Sequence, residues 1–391
     1  MFVHFGMLTA FLGLFTFNPI AAPLMRELGL SEIEAGLVVS VAALMWALTS
    51  PFWGKRSDRL GRKPVFLTGL FGFSLGFGLF ALVAWAGLQG YLAGLALLLG
   101  LILTRMVAGA LFSAAPVASQ AYLADLTEGP ARTAALATLG AAQGIGFVLG
   151  PALGGLLAGW GLLTPLVVGA MLPALAGLIL LGRMPSPAPR LDPESPSKLR
   201  LFDPRIRPYL VVGFGVQMCI VVLQITAGFF LQDKFSLDSI ATAQWLALAL
   251  VLAGLGLIGA QLGIVRTLKL PPLDLMRWGL VAKVTGFVLI LLGPSLLVLL
   301  LGFLVAGIGA GMILPAYQSA ASLAVMAHEQ GAVAGLTALV GGLASIVAPV
   351  LGTGLYQITQ TLPFQVAIAV LLLNLLFVWL LPRPNPAAAR G

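Results

Sequence analysis

Charge is what this sequence lacks. Only 9% of its 391 residues are Asp, Glu, Lys or Arg, against 60% that are hydrophobic. A soluble domain carries roughly a quarter charged residues and cannot hide so many apolar side chains, so that class is excluded and lipid must be the solvent. There is a single cysteine, Cys219, inside an apolar run. An intrachain disulfide is therefore excluded, the redox compartment is not readable, and the thiol is expected to pack as a small hydrophobe. A Gly-x-x-x-x-Gly-Lys-Ser/Thr loop and a soluble domain are both missing, which argues against an ATP-driven pump. A clustered nucleophile, acid pair or metal set is missing too, so no enzyme activity, cofactor or metal is expected. The net charge of +8 raises the question of nucleic acid, but it is scattered and lacks stacking aromatics.

What is present is a series of apolar runs of 17 or more residues. Twelve spans follow: 2–24, 33–53, 64–86, 91–123, 133–158, 163–182, 208–231, 239–265, 273–293, 295–326, 331–357 and 363–381. Hydrocarbon offers unpaired backbone groups no water, and the runs are too long for barrel strands, so each is expected to be a helix. The run from Met1 carries no basic leader region and reads as the first span rather than a cleaved signal. An even count puts both ends on one side.

The densest polar feature is Gly54 to Pro64, which holds five of the 21 Lys and Arg. A cation costs roughly 2.5 to 3.5 kcal/mol at a helix centre in a membrane, so this stretch is expected as a short aqueous loop. By the twelve-span layout 17 of the 21 bases fall on its side, only Arg26 and Lys234 fall opposite, and Arg105 and Lys283 fall within spans. Positive charge marks the cytoplasmic side, so both termini are expected in the cytoplasm and the chain in the cell inner membrane. The acids divide differently. None of the 13 Asp and Glu is left for the membrane interior.

The basic stretch resembles the loop between helices 2 and 3 of major facilitator superfamily transporters. That pattern is Gly, three residues, Asp, Arg or Lys, one residue, Gly, Arg, then Arg or Lys, and Gly54, Asp58, Arg59, Gly61, Arg62 and Lys63 all fit it. In the fifth span, Gly146, Gly150, Pro151, Gly154 and Gly155 resemble the signature of the drug:proton antiporter branch, with Ala137 standing where the family has its first glycine. Small residues let helix backbones approach and Pro151 removes a helix hydrogen bond, so this is expected to be a hinge. An echo of Gly150 to Leu157 recurs at Ala348 to Leu355, an offset of 198 residues. The resemblance implies an all-α membrane protein of the major facilitator fold, with twelve helices in two six-helix bundles, 1–182 and 208–391. A cytoplasmic linker, 183–207, would join them, and cargo would bind at mid-membrane.

It also implies roles. Asp58, Arg62 and Asp125 are expected to form a charge cluster that acts as a cytoplasmic latch near the start of the eleventh helix. The family lines its cavity with helices 1, 4, 7 and 10, which here carry Asn18, Arg105, Gln120, Gln217, Gln224, Tyr317 and Gln318, with Trp46 and Gln143 beside them. Arg105 could bind an anionic group, tune a proton site or brace the bundle. Lys283 is expected to snorkel to the cytoplasmic surface. The function implied is a secondary active exporter of small organic molecules, a monomer in the lipid bilayer, coupled to protons as in its relatives, although no membrane carboxylate marks the proton's path. Interior cations leave open an anionic or zwitterionic amphiphile, such as a lysolipid or metallophore-like metabolite. A non-transporting sensor or scaffold also stays open.

Overall fold

The computed structural model describes residues 2–185, 199–201, 203–326 and 329–381. Every regular element among them is helical: α1 (Phe2–Phe15), α2 (Ala21–Glu27), α3 (Glu32–Leu60), α4 (Arg62–Leu88), α5 (Gly94–Phe112), α6 (Ala114–Leu126), α7 (Gly129–Ala158), α8 (Thr164–Arg183), α9 (Arg207–Phe235), α10 (Ser239–Gly259), α11 (Arg266–Leu268), α12 (Pro272–Leu292), α13 (Leu296–Leu323), α14 (Gln330–Ile358) and α15 (Leu362–Leu380). Eleven helical stretches among the described residues are long and apolar enough to cross a membrane, with α5 and α6 counted as one. The protein is a multi-pass, all-α membrane protein. Most of the proline-rich linker lies outside the described residues.

Two expectations are corrected. The first span is not one helix: α1 stops at Phe15 and α2 starts at Ala21. Pro19 has no N–H to give, Pro23 would take another bond from a continuous helix, and single turns such as Asn18 N–H to Phe15 O bridge the gap. The stretch 54–64 is not a loop either. Helix α3 carries it out of the apolar zone to Leu60, and one residue, Gly61, reverses the chain into α4 with φ +92°, a conformation glycine tolerates. In the eighth span, α10 passes through a π-helical turn, Ala260–Val265, before α11.

The chain clusters into two compact units. One comprises Met1–Glu194, Val222–Val251 and Ser345–Gln360; the other comprises Ser195–Val221, Leu252–Ala344 and Thr361–Gly391. In the first, α4 packs on α5 and α8, and α1 packs on α7 and α8. An aromatic core of Phe73, Phe77 and Phe112 stacks between these helices. In the second, α12 and α13 interlock through glycines: a methyl on Gly286 would stand 2.5 Å from Ala306 N, and one on Gly309 would stand 2.6 Å from Gly279 O. Such approach lets backbones themselves make the van der Waals contact that holds helices together in lipid.

Candidate functional site

Helix α3 has carboxylates near both ends, and each belongs to a charge cluster. At its C-terminal end Arg62, the first residue of α4, is buried at 5% exposure. Its Nε donates to Asp125 Oδ2 at 2.7 Å, and its other donors reach Asp58 Oδ1 and, at 3.3 Å, Ser57 Oγ. The cluster expected from the motif is thus assembled. Its two bonds are unequal: the Asp125 side chain is 5% exposed and the Asp58 side chain 45%, so Asp125 needs Arg62 far more than Asp58 does. Gly61 supplies the turn that sets Arg62 back against α3. Arg59 is exposed, Lys63 lines a furrow on α4, and Gly54 faces Val117 of α6.

The cluster at the other end escaped the sequence reading, which placed Arg26, Glu32 and Asp233 in water. Arg26, near the end of α2, grips both oxygens of Asp233 at 2.5 and 2.8 Å and reaches Glu32 Oε1 at 3.0 Å. Tyr356 of α14 donates its hydroxyl to Asp233 Oδ2 at 2.6 Å, and the Arg26 guanidinium lies 5.1 Å over the Phe229 ring. Asp233, then Glu32, holds Arg26 above the ordinary guanidinium value against the opposing effect of burial. Glycines tighten the same end: a methyl on Gly228 would meet Ala22 at 2.6 Å, and Gly36 and Gly155 leave no room for a methyl against Thr353 and Ala247. One signal for it was legible. Arg26 and Asp233 each stand two residues past an apolar span, 2–24 and 208–231.

The glycine motif of α7 lies along α1. Methyls on Gly146 and Gly150 would stand 2.7 Å from Phe11 Cβ and 2.5 Å from Phe15 Cβ, and Gly154 faces Thr16 O. Pro151 lies inside α7, so this face combines close approach with one missing hydrogen bond.

The expected cavity residues fare variously. Asn18, Gln143 and Gln224 are half-buried and Gln120 is exposed; no hydrogen bond among the described residues joins them. Trp46 packs edge-on against Phe112 at 4.9 Å. In the second unit Tyr317 is buried at 1% exposure against Gly213, Gln217 lies beside Gly341, and Gln318 is exposed. Arg105 is 5% exposed, with Phe17, Phe80 and Phe77 rings 4.8, 5.5 and 5.6 Å from its guanidinium and Val38 O at 3.4 Å. Of the three roles open in the sequence, the cation–π contacts and the carbonyl are those a brace would make. Lys283 does not snorkel. It is 2% exposed, with its ammonium 5.5 Å from the Phe287 ring, because α13 packs so tightly over α12 that its stem is enclosed.

Comparison with known proteins agrees with this architecture. The family model for the Major Facilitator Superfamily matches residues 3–349. Multidrug resistance protein 1 of Bacillus subtilis (strain 168) is 25% identical over 375 residues, covering 94% of this chain and 92% of its own. Tetracycline resistance protein, class C, of Escherichia coli is 28% identical over 357 residues, covering 86% and 84%. Among solved structures, a bacterial homolog of the human lysosomal transporter Spinster, inward-facing and occupied, aligns with TM-score 0.78 at 15% identity, covering 97% of this chain and 95% of that one.

Proposed function

The chain belongs to the major facilitator superfamily of membrane transporters, and we propose that it is a secondary active exporter of drug-like organic molecules that works by alternating access. The relatives named for multidrug and tetracycline resistance support that cargo. The observation that carries the mechanism is the Arg26–Asp233–Tyr356 cluster. It bonds the α2 turn of residues 1–182 to α9 and α14 of residues 208–391, so the outer ends of these helices are closed by a contact that can be broken and remade. Among the described residues, the bonds of the cluster at the far end of α3 go to Ser57, Asp58 and Asp125, all within 1–182.

In this reading the chain is two six-helix halves, 1–182 and 208–391, joined by 183–207. The surplus of bases near Arg62 supports that end, and both termini, as cytoplasmic. Asn18, Gln143 and Gln224 would meet the cargo with half-buried polar tips. Arg105 is ringed by Phe17, Phe77 and Phe80, and Lys283 is enclosed between α12 and α13, which supports neutral or cationic cargo over the anionic amphiphile. The protein would work as a monomer driven by protons. The test is flux in proteoliposomes with an imposed pH gradient, screened across cationic, neutral and anionic solutes. Gradient-driven movement of a lipophilic cation is expected. Flux of organic anions alone would overturn the cargo, and no flux of any solute would return the protein to the sensor or scaffold class.

A further inference from the structure

Next to the Arg62 cluster, one face of α4 carries a cavity of about 610 Å3, walled by Lys63, Leu67, Phe71 and Leu75 of that helix, Leu111 of α5 and Leu181 of α8. We propose that it is a binding site for one anionic phospholipid, with the lipid phosphate on Lys63 and an acyl chain along α4.

Four observations carry this. First, the furrow is apolar except at one end. Its other polar side chain, Thr68, donates its hydroxyl to Pro64 O at 2.9 Å, whereas no carboxylate among the described residues pairs with Lys63. The nearby acids Asp58 and Asp125 are both engaged by Arg62. An uncompensated ammonium at the mouth of an apolar channel suits a headgroup phosphate above a hydrocarbon tail. Second, a further cation stands at that mouth. Residues 74–81 of α4 share a second cavity, about 440 Å3, with residues 167–174 of α8, while residues 63–75 share the first with Leu181. The two helices therefore run antiparallel, and Arg183, two residues past Leu181, ends α8 beside the start of α4.

Third, the length fits. Lys63 to Leu75 is twelve residues, about 18 Å at 1.5 Å per residue. One leaflet of hydrocarbon is about 15 Å, half of a core of about 30 Å. A phosphate at Lys63 thus puts the chain's end at Leu75. Fourth, the furrow is built into the packing. A methyl on Gly177 would stand 2.8 Å from the Phe71 ring, and Gly72 has no room for one against Leu111, so two glycines let the walls close without filling the channel.

The test is native mass spectrometry of the intact protein with equimolar phosphatidylglycerol and phosphatidylcholine of identical acyl chains. Preferential retention of phosphatidylglycerol by about five-fold is expected from one basic contact near the membrane surface. Lys63→Gln should lower the preference and Lys63→Arg should restore it. Leu75→Trp, which obstructs the tail and leaves the charge, should lower retention of both lipids. Equal retention by the unaltered protein would overturn the proposal without recourse to any variant. So would an undiminished preference in Lys63→Gln, or unchanged retention in Leu75→Trp.

Discussion

Replacing Asp233 by Asn tests the proposed closure at Arg26 with little change of shape. The carboxylate accepts two bonds from Arg26, at 2.5 and 2.8 Å, and one from Tyr356 at 2.6 Å. Its side chain is 19% exposed and that of Arg26 25%, so the pair is partly shielded from solvent. Hydrogen bonds to charged groups contribute about 1.5 to 3 kcal/mol. Asn removes the charge and one acceptor, but Glu32 stays 3.0 Å from Arg26 and keeps the guanidinium partnered. The loss should fall near the middle of that range, about 2 kcal/mol, which moves the ratio of closed to open by about 30-fold. The reporter is a thiol introduced by Ala243→Cys, at a position with 0% exposure. The native Cys219 is 2% exposed and contributes little background. Labelling by a membrane-impermeant maleimide should accelerate about 30-fold in Asp233→Asn. In Tyr356→Phe, which deletes one bond and no charge, it should accelerate about 5-fold. Arg26 is held above the ordinary guanidinium value, so its contribution is complete at neutral pH and is lost only as pH rises through that raised value. Equal labelling rates in the unaltered and Asp233→Asn proteins would refute the closure.

At the Arg62 end burial decides the ranking. Arg62→Gln strands an Asp125 side chain that is 5% exposed and should cost about 3 to 5 kcal/mol in thermal unfolding, whereas Asp58→Asn, at 45% exposure, should cost under about 1 kcal/mol; equal losses would refute the ranking. Gly150→Ala puts a methyl 2.5 Å from Phe15 Cβ and should destabilise by about 1 to 3 kcal/mol, and an unchanged melting temperature would mean that α1 and α7 separate freely. The Arg205 side chain, and then its backbone N–H, holds the Asp203 carboxyl below its ordinary value. Its support for the start of α9 is therefore present above the unfolded value and is lost as pH falls through the lower folded one. Amide exchange near Arg205 should quicken on acidification through that window, and Asp203→Asn should remove the pH dependence.

The fold was legible because lipid enforces it: in every apolar run but the first, length alone fixes a spanning helix. The meeting of Asp58, Arg62 and Asp125 was legible through the family resemblance, since Asp58 and Arg62 share one short motif but Asp125 lies on another helix. Three things were hidden for one physical reason, that hydropathy reports the solvent of a segment and not the partner of a side chain. The break at 16–20 follows from Pro19 and Pro23, yet prolines elsewhere, such as Pro151 and Pro349, lie inside unbroken helices. Arg105 and Lys283 are rare charges in apolar spans, and rarity suggested a polar cavity. Three phenyl rings and a carbonyl serve Arg105 instead. The Arg26 cluster joins residues more than 200 positions apart, which no local pattern records.

Helix α3 unites what remains. Glu32 and Asp58 are 26 residues apart, about 39 Å along one helix, and each pairs with an arginine on an adjoining helix. A rigid helix cannot change its length, so a tilt that separates Arg26 from Asp233 must also displace Asp58 and the Gly61 turn. The two arginine contacts respond unequally to such a tilt. Arg62 keeps Asp125 through a bond shielded from water, while its bond to the more exposed Asp58 is the weaker one, and the Arg26 contact with Asp233 joins α2 to α9. The bonds that should break in each cycle are therefore the Arg26–Asp233 and Arg62–Asp58 pairs, with Arg62–Asp125 persisting throughout. A crosslink bridging the positions of Arg62 and Asp125 should leave flux intact, and one bridging Arg26 and Asp233 should stop it. Flux that survives the second crosslink would remove the moving contact on which alternating access in this protein rests.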